Sequence, residues 1–220
     1  MIRGRPAAIL FDMDGLLLDS ERLIRDAMIA EMETHGLAMS HEQFALLVGR
    51  PETDSRALLA SLYGPALAYD AIREGVRRRI VADWGHNRPL KPGAVQLLNQ
   101  CRAAGLPCAL VTSTIGTSAR SHMQHSGLLA HFAVMIAGDD VKRGKPDPEP
   151  YRLAAARLNL EPATCLALED SHNGVISAHA AGVPVIMVPD LLPATPEIRT
   201  RLLAVAPDLH VVANWLASAI

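Results

Sequence analysis

The chain has 220 residues, of which 50% are hydrophobic, 21 are Lys or Arg and 23 are Asp or Glu. This composition can fill the core of one domain, or of one domain with a smaller insertion, and it excludes wholesale disorder. Because the charges nearly balance, nothing attracts the whole protein to nucleic acid or to an anionic membrane surface. A small molecule is therefore the expected partner.

The three cysteines and the N-terminus bear on the cellular setting. Cys101, Cys108 and Cys165 are odd in number and lack the close paired spacing of a zinc site. The N-terminal apolar run is interrupted at Asp12, too early for a secretory signal, and no segment has the length of a membrane span. We therefore expect a cytoplasmic protein in a reducing setting, and a monomer or weak oligomer.

The first predicted strand is the apolar run from Ala7 to Phe11, which ends in Asp12 and Asp14 with Gly15 behind them. A run without polar alternation is typical of a strand buried on both faces of a parallel sheet, and ligands bind at the end of such strands. Two carboxylates on one side of an extended chain repel each other, which a shared proton or a bound cation relieves. Two solvated aspartates in a turn are the alternative.

The next part of the chain predicts helices alone, over residues 21–35, 40–47, 55–62 and 69–82. No convincing buried strand interrupts residues 21–84, so this block reads as a helical insertion. Residues 13–19 lead into it, and the Gly-, Pro- and polar-rich residues 85–92 form the linker that leaves it.

From residue 91 onwards, helices alternate with short apolar strands. The predicted strands are 107–112, 133–137, 165–168 and 183–188, with a weak last strand at 210–212. The predicted helices are 93–104, 116–126, 149–158, 173–181 and 196–205. This alternation predicts right-handed crossovers and a doubly wound parallel sheet of the α/β class.

Hydroxyl residues follow the second strand. Thr112, Ser113 and Thr114 precede a helix that begins at Gly116. Hydroxyls and backbone amides ahead of a helix can hold an anion, although Ser and Thr are also common helix caps.

Charged residues follow the third and fourth strands. Lys145 stands in a loop stiffened by three prolines, which could hold its ammonium at one point, although a surface lysine is usually just solvated. Glu169 and Asp170 end a buried strand, where they could cap the following helix. Together with Asp12 and Asp14 they also offer the oxygen ligands that a hard cation such as Mg²⁺ prefers.

Four segments resemble, in order, the signatures of the haloacid dehalogenase-like superfamily: FDMDGLLLDSE, TST after the second strand, GDDVKRGKPDPEPY and LALEDSHNGV. The similarity is closest to the subgroup that contains β-phosphoglucomutase and small sugar-phosphate phosphatases. It implies a Rossmann-like core of residues 1–18 and 89–220 with a helical cap, residues 19–88, inserted after the first signature. It also implies a Mg²⁺-dependent phosphatase of a small phosphorylated metabolite, acting through an aspartyl phosphate.

The resemblance assigns roles to the acidic residues. Asp12 would attack phosphorus, and Asp14 would protonate the leaving alcohol and then deprotonate water. Mg²⁺ would be held by the Asp12 carboxylate, the Asp14 backbone carbonyl and Asp170, with Glu169 as a ligand or just behind the ligands.

The remaining roles concern the substrate. Thr112, the Ser113 amide and Lys145 would grip the phosphoryl oxygens. Gly49, Arg50 and Glu52 stand in a helix-breaking loop of the cap that could reach the site and select the leaving group. A solvated loop arginine is the alternative for Arg50.

Three other activities are weighed against a phosphatase. In β-phosphoglucomutases a cap-helix histidine stands where this chain has Ile24, and a cap-loop arginine stands where it has Glu52, so both positions argue against a mutase. Dehalogenases of the superfamily lack the second aspartate, whereas Asp14 is present. A catalytically silent phosphate-binding regulator finds no support, because every expected catalytic position holds a competent residue.

Overall fold

The computed structural model describes residues 4–48, 50, 52–84 and 89–218. In this part of the chain six parallel strands form one sheet: β1 (Ala8–Phe11), β2 (Cys108–Val111), β3 (Val134–Ile136), β4 (Cys165–Glu169), β5 (Val185–Met187) and β6 (Ala204–Val205). Their order is β3-β2-β1-β4-β5-β6. The order reverses between β1 and β4, which is the crevice where doubly wound sheets bind ligands.

The helices of the described residues are α1 (Ser20–Thr34), α2 (His41–Ala45), α3 (Glu52–Tyr63), α4 (Tyr69–Trp84), α5 (Ala94–Ala103), α6 (Gly116–His125), α7 (Glu149–Arg157), α8 (His172–Ala180), α9 (Pro196–Arg199) and α10 (Leu209–Ala217). Two short 3₁₀ turns, Leu129–His131 and Pro162–Thr164, precede β3 and β4. None of these helices has the length and apolar character needed to cross a bilayer.

The sheet is covered on both faces, as its apolar strands require. Because side chains alternate along a strand, Ile9 and Phe11 of β1 belong to one hydrophobic cluster and Leu10 to the other. The first cluster also takes residues from α5, α6 and α10, and the second from α7 and α8. This arrangement confirms the predicted fold class, a parallel α/β sheet with a helical segment inserted after β1.

The helices α1 to α4 share a hydrophobic cluster of their own, with Met28, Met32 and Ile72 among its buried members. The two chain segments that join this helical block to the sheet lie side by side. Asp19 N–H donates to Pro89 O at 2.8 Å and Lys91 N–H donates to Leu17 O at 2.9 Å. The predicted domain limits, 1–18 with 89–220 and 19–88, stay a prediction, and residues 85–88 of the predicted linker lie outside the described part.

The C-terminal elements differ from the prediction. The helix predicted over 196–205 ends at Arg199, and its last two residues form β6. The weak strand predicted at 210–212 is wrong, because these residues belong to α10, whose N-terminus is capped by the Asp208 carboxylate accepting from Val211 N–H at 2.9 Å. The buried members of α10 recur at helical spacing: Leu209, Val212, Ala213, Leu216.

Candidate active site

The ends of three adjacent strands bring the first predicted site residues together. Asp12 follows β1, and its N–H donates to Leu168 O of β4 at 3.1 Å. Thr112 follows β2, and Asp170 follows β4 on the other side of β1. Parallel strands all end at the same edge of the sheet, so the register of β1 with its two neighbours sets these side chains around one point.

Asp12, Glu169 and Asp170 form a buried group that we call the carboxylate cluster. One carboxylate oxygen from each lies within 4.8 Å of the others, and the residues are only 7%, 0% and 4% exposed. Burial raises the pKa of Asp12 and of Asp170 well above the usual value, and the neighbouring carboxylates raise both further. The cluster therefore favours a cation at its centre.

Lys145 supplies one positive charge to the carboxylate cluster. Its Nζ donates to Asp12 Oδ1 at 2.5 Å, to Glu169 Oε1 at 2.5 Å and to Val111 O at 2.9 Å. Burial alone would lower the pKa of Lys145, but the charges of Asp12 and Glu169 outweigh it and raise the pKa. All three N–H donors are engaged, so the ammonium is fixed in place and stays charged.

Glu169 is the most enclosed member of the cluster. Besides Lys145, its Oε1 accepts from the Tyr151 hydroxyl at 2.6 Å, and its Oε2 accepts from the Ser171 hydroxyl at 3.2 Å. Gly174 of α8 packs against the same carboxylate, since a Cβ there would lie 1.9 Å from Glu169 Oε1. Because both of its carboxylate oxygens already accept hydrogen bonds, Glu169 is suited to fix Lys145 and to lie behind the residues that would bind a cation directly.

Asp170 has the opposite surroundings. Within the described part of the chain, no hydrogen-bond donor contacts its carboxylate, although the residue is buried. Gly15 has φ +83°, and a Cβ on it would lie 2.2 Å from Asp170 Oδ2. A glycine is thus required for the loop after β1 to approach this carboxylate. A carboxylate that lines the cavity beside Asp12 and meets no donor among the described residues fits a divalent cation with oxygen ligands.

Asp14 is held by two hydroxyl groups rather than by the carboxylate cluster. Ser20, the first residue of α1, donates to Asp14 Oδ1 at 2.7 Å, and Thr114 donates to Oδ2 at 2.8 Å. One donor thus comes from the helical block and the other from the loop after β2. The pair orients the Asp14 carboxylate without neutralising it.

Backbone donors are available in the two loops. Among the described residues, no acceptor takes the N–H of Met13, Asp14 or Ser113. Thr114 N–H instead donates to Thr112 Oγ1 at 3.0 Å, which shapes the loop after β2. The amide of Gly116, at the start of α6, donates to the Asp139 carboxylate at 2.7 Å. The expected anion cradle is therefore reduced to the loop, because a protein carboxylate occupies the helix start.

These loops open into a cavity of about 680 Å³ between the sheet edge and the helical block. Its lining includes Asp12, Asp14, Thr112, Ser113, Lys145 and Asp170. Arg50 also lines it, and its Nε donates to Leu46 O at 2.5 Å. Glu52 begins α3, is exposed and is not among the described lining residues, while Gly49 lies outside the described residues.

Several contributors to the site were not predicted from the sequence. Tyr151 is the last residue of the segment GDDVKRGKPDPEPY. Only the packing of α7 on the sheet brings its hydroxyl to Glu169. Thr114 was expected as an anion donor or a helix cap, yet it and Ser20 both donate to the Asp14 carboxylate. Glu21, one residue after Ser20, lines the cavity. The sequence signal that could have identified Glu21 was its position in the first turn of the predicted helix that follows Asp12 and Asp14.

A family of known proteins matches this architecture. The family described as haloacid dehalogenase-like hydrolase matches residues 6–182, from two residues before β1 to two residues after α8. The chain belongs to the haloacid dehalogenase-like hydrolases. The matched range contains the carboxylate cluster, Lys145 and the loop after β2.

Individual relatives agree with the family. Hexitol phosphatase A of Escherichia coli is 36% identical over 185 residues, covering 84% of this chain and 83% of that protein. The phosphorylated carbohydrates phosphatase of Thermotoga maritima is 31% identical over 176 residues, 80% of this chain and 82% of that protein. The structure of CbbY from Rhodobacter sphaeroides in complex with phosphate has a TM-score of 0.75 and 27% identity, covering 93% of this chain and 95% of that one. The predicted family and enzyme class, a phosphatase, are confirmed by these matches.

Proposed function

We propose that this haloacid dehalogenase-like hydrolase is a Mg²⁺-dependent phosphatase that hydrolyses a small phosphorylated metabolite, such as a sugar phosphate, through an aspartyl phosphate on Asp12. The observation that carries the proposal is the position of Asp12. Its carboxylate is buried at the end of β1, bonded to Lys145 and within 4.8 Å of the Asp170 carboxylate. An anionic nucleophile can meet an anionic phosphate only where such charge compensation exists.

The proposed first step is an in-line attack. An Asp12 carboxylate oxygen forms a bond to phosphorus while the bond between phosphorus and the leaving oxygen breaks. In the second step a water oxygen bonds to the same phosphorus, the bond to Asp12 breaks, and inorganic phosphate leaves. The fixed ammonium of Lys145 opposes the rise that burial causes in the pKa of Asp12, and it attracts the phosphoryl group.

Asp14 is the proposed acid and base. It gives a proton to the leaving oxygen in the first step and takes one from the attacking water in the second. Its hydroxyl partners, Ser20 and Thr114, support this role because they orient the carboxylate while leaving it free to exchange a proton. The proton that Asp14 exchanges therefore stays on the side of the cavity from which the leaving group departs.

The residues that would hold Mg²⁺ are Asp12 and Asp170 through their carboxylates and Asp14 through its backbone carbonyl, with Glu169 behind them. When bound, the ion supplies positive charge between the nucleophile and the phosphate. The buried Asp170 carboxylate, which meets no donor among the described residues, supports this assignment. Glu169, whose oxygens already accept from Lys145, Tyr151 and Ser171, would fix the ammonium next to the ion.

The phosphoryl oxygens are assigned to donors in the loops after β1 and β2. The Thr112 hydroxyl, the Ser113 amide and Lys145 were expected from the sequence. The unengaged N–H groups of Met13 and Asp14 add two donors beside the nucleophile. Backbone donors that are held in place before the reaction cost little reorganisation as charge develops.

The leaving group is proposed to be small. A cavity of about 680 Å³ beneath a helical block accommodates a metabolite rather than a protein chain. The E. coli relative is named for hexitol phosphates and the T. maritima relative for phosphorylated carbohydrates. Arg50, on the cavity lining, is the proposed cap residue that contacts the leaving group. Gly49 and Glu52, which begins α3, are proposed to help Arg50 select the leaving group.

The same considerations favour a phosphatase over the other activities. The cavity presents the apolar side chain of Ile24 where a mutase would carry a histidine. Asp14, bonded to two hydroxyls, distinguishes the site from that of a dehalogenase. The domain limits proposed from the sequence fit this scheme, since residues 19–88 contain the separate hydrophobic cluster that would cover the site.

The proposal is tested with p-nitrophenyl phosphate, assayed with and without Mg²⁺. We expect metal-dependent turnover by the unchanged protein and none by an Asp12→Asn variant whose melting temperature shows that it is folded. A panel of phosphorylated metabolites, assayed for released phosphate, would then rank the leaving groups. Equal turnover by the Asp12→Asn variant would refute the proposed nucleophile.

A further inference from the structure

The cap-side wall of the cavity carries a carboxylate that the proposed steps do not use. Glu21 lies in the first turn of α1, directly after Ser20, and lines the cavity. Its Cγ is 3.4 Å from the point that a Cβ on Gly15 would occupy, and Asp170 Oδ2 is 2.2 Å from that same point. Glu21 therefore lies against the loop after β1, close enough to Asp14 for the two charges to interact.

This position puts Glu21 next to the path of the leaving group. A general acid must come within hydrogen-bond reach of the oxygen that it protonates, so the leaving oxygen lies at Asp14. The atoms attached to that oxygen then extend into the part of the cavity beside Glu21. Substituents of the leaving alcohol that extend towards α1 would meet this carboxylate.

The charges around Glu21 are mostly negative. Burial, followed by the charges of Asp14 and Asp190, raises the pKa of Glu21 to about 7, and Lys91 opposes the shift. Arg50 is not among the charges that act on it, and Lys145 is engaged with Asp12 and Glu169. The neighbour of Glu21 on the cavity lining one helical turn later is the apolar Ile24. This wall is therefore poorly suited to a second anionic group.

We propose that Glu21 determines which leaving group is accepted: it accepts hydrogen bonds from hydroxyl groups near the ester oxygen and repels a carboxylate or a second phosphate there. The substrates are then phosphate monoesters of uncharged polyhydroxy alcohols, and esters of hydroxy acids and bisphosphates are poor substrates. This inference rests on the proposed function and narrows its substrate class.

The test uses pairs of esters that have the same carbon chain and differ in one group. Glycerol 3-phosphate is compared with 3-phosphoglycerate, and 2-hydroxyethyl phosphate with phosphoglycolate, so that a hydroxymethyl group is exchanged for a carboxylate. In assays at pH 8.5, above the raised pKa of Glu21, kcat/KM should favour the uncharged ester of each pair by about tenfold or more, as expected for two like charges a few ångströms apart at a protein surface. In Glu21→Gln the preference should fall to about threefold or less, chiefly through KM.

Two further variants complete the design. Glu33→Gln removes an exposed carboxylate from the same helix, away from the cavity, and should keep the preference of the unchanged protein. Ile24→Lys places a positive charge on the same wall and should shift the preference towards the anionic esters. If Glu21→Gln does not fold, the ester preference of Ile24→Lys tests the inference in its place.

The inference is overturned if folded Glu21→Gln keeps the original preference, or if the unchanged protein prefers the anionic esters. It is also overturned, if Glu21→Gln does not fold, when Ile24→Lys leaves the preference unchanged. Hydrolysis of none of the four esters and of no p-nitrophenyl phosphate would instead refute the proposed function, and the inference with it. If the protein is active but Glu21→Gln keeps the original preference among the esters, only the inference about Glu21 is refuted. The two failures are therefore distinguishable.

Discussion

Nζ of Lys145 lies 2.5 Å from Oδ1 of Asp12, at a place where two further carboxylates are buried. Lys145 lies in the loop after β3, 133 residues along the chain from Asp12, and the fold brings its ammonium to the end of β1. Charge compensation is the property on which the proposed chemistry depends. Substitutions can remove the charges and hydrogen bonds that provide this compensation one at a time.

Replacing Lys145 with Met should alter the pH dependence of the reaction. The ammonium lowers the pKa of Asp12 against the effect of burial, so without it the pKa of Asp12 rises further. The acid limb of the kcat/KM profile should move to higher pH, and kcat should fall by about 100-fold, as when one preorganised donor is lost. A rate profile from pH 5 to 9 with p-nitrophenyl phosphate measures both.

The matched control for this change is Lys142→Met, in the same loop but exposed. It should keep the profile of the unchanged protein. An unaltered acid limb in Lys145→Met would show that the ammonium does not govern the ionisation of the nucleophile.

Replacing Gly174 with Ala should destabilise the protein although alanine favours helices. A Cβ at this position would lie 1.9 Å from Glu169 Oε1, so the carboxylate or α8 must move. Overpacking of this kind costs about 1–3 kcal/mol, more than the gain of about 1 kcal/mol in helix propensity. Urea denaturation measures the difference. Gly144→Ala, where a Cβ would meet nothing within 4 Å, should be nearly neutral, and equal stabilities of the two variants would contradict the packing described.

Replacing Thr114 with Val should lower kcat more than it raises KM. The substitution keeps the shape of the side chain but removes the hydroxyl that donates to Asp14 Oδ2. We expect a loss of about tenfold in kcat, a part of what general acid–base catalysis contributes. Thr117→Val, an exposed change on α6, is the control in steady-state assays. A purely KM effect in Thr114→Val would mean that the hydroxyl serves binding instead of orienting Asp14.

The helical block should contribute stability that depends on pH. Its buried Glu31 accepts from Arg79 Nε at 2.7 Å, and this hydrogen bond lowers the pKa of the Glu31 carboxyl. A folded-state pKa below the unfolded value stabilises the protein above the unfolded pKa, and the contribution is lost as pH falls through the folded pKa. Glu31→Gln should therefore lower the free energy of unfolding by about 1–2 kcal/mol at pH 7.

The same comparison at acid pH checks the sign. The difference between the unchanged protein and Glu31→Gln, measured by urea denaturation, should shrink as the pH is lowered below about 4.5. Glu33→Gln, on the exposed side of the same helix, should change the free energy of unfolding at pH 7 by less than about 0.5 kcal/mol. A difference that is constant from pH 7 to pH 3.5 would mean that the ionised pair contributes nothing.

Much of the site was predictable because parallel strands end at one edge of a sheet. Asp12, Thr112 and Asp170 each follow an apolar run, and that rule alone brings them together. The contacts of Glu169 with Tyr151 and Gly174 were not predictable, since they depend on how α7 and α8 pack on the sheet. At the C-terminus, the β-branched pair Val211 and Val212 suggested a strand, but burial of one face against the sheet favoured a helix.

The central claim is that Asp12 becomes phosphorylated, and an Asp14→Asn variant tests it most directly. p-Nitrophenolate leaves without a proton donor, so the first step should proceed in this variant, while hydrolysis of the intermediate, which needs a base, should be slow. Rapid mixing with p-nitrophenyl phosphate and Mg²⁺ should release a burst of p-nitrophenolate that approaches the enzyme concentration. Mass spectrometry after acid quenching should find the phosphoryl group on the peptide that contains Asp12. A burst with the phosphoryl group on another residue, or turnover with no phosphorylated peptide, would contradict the account.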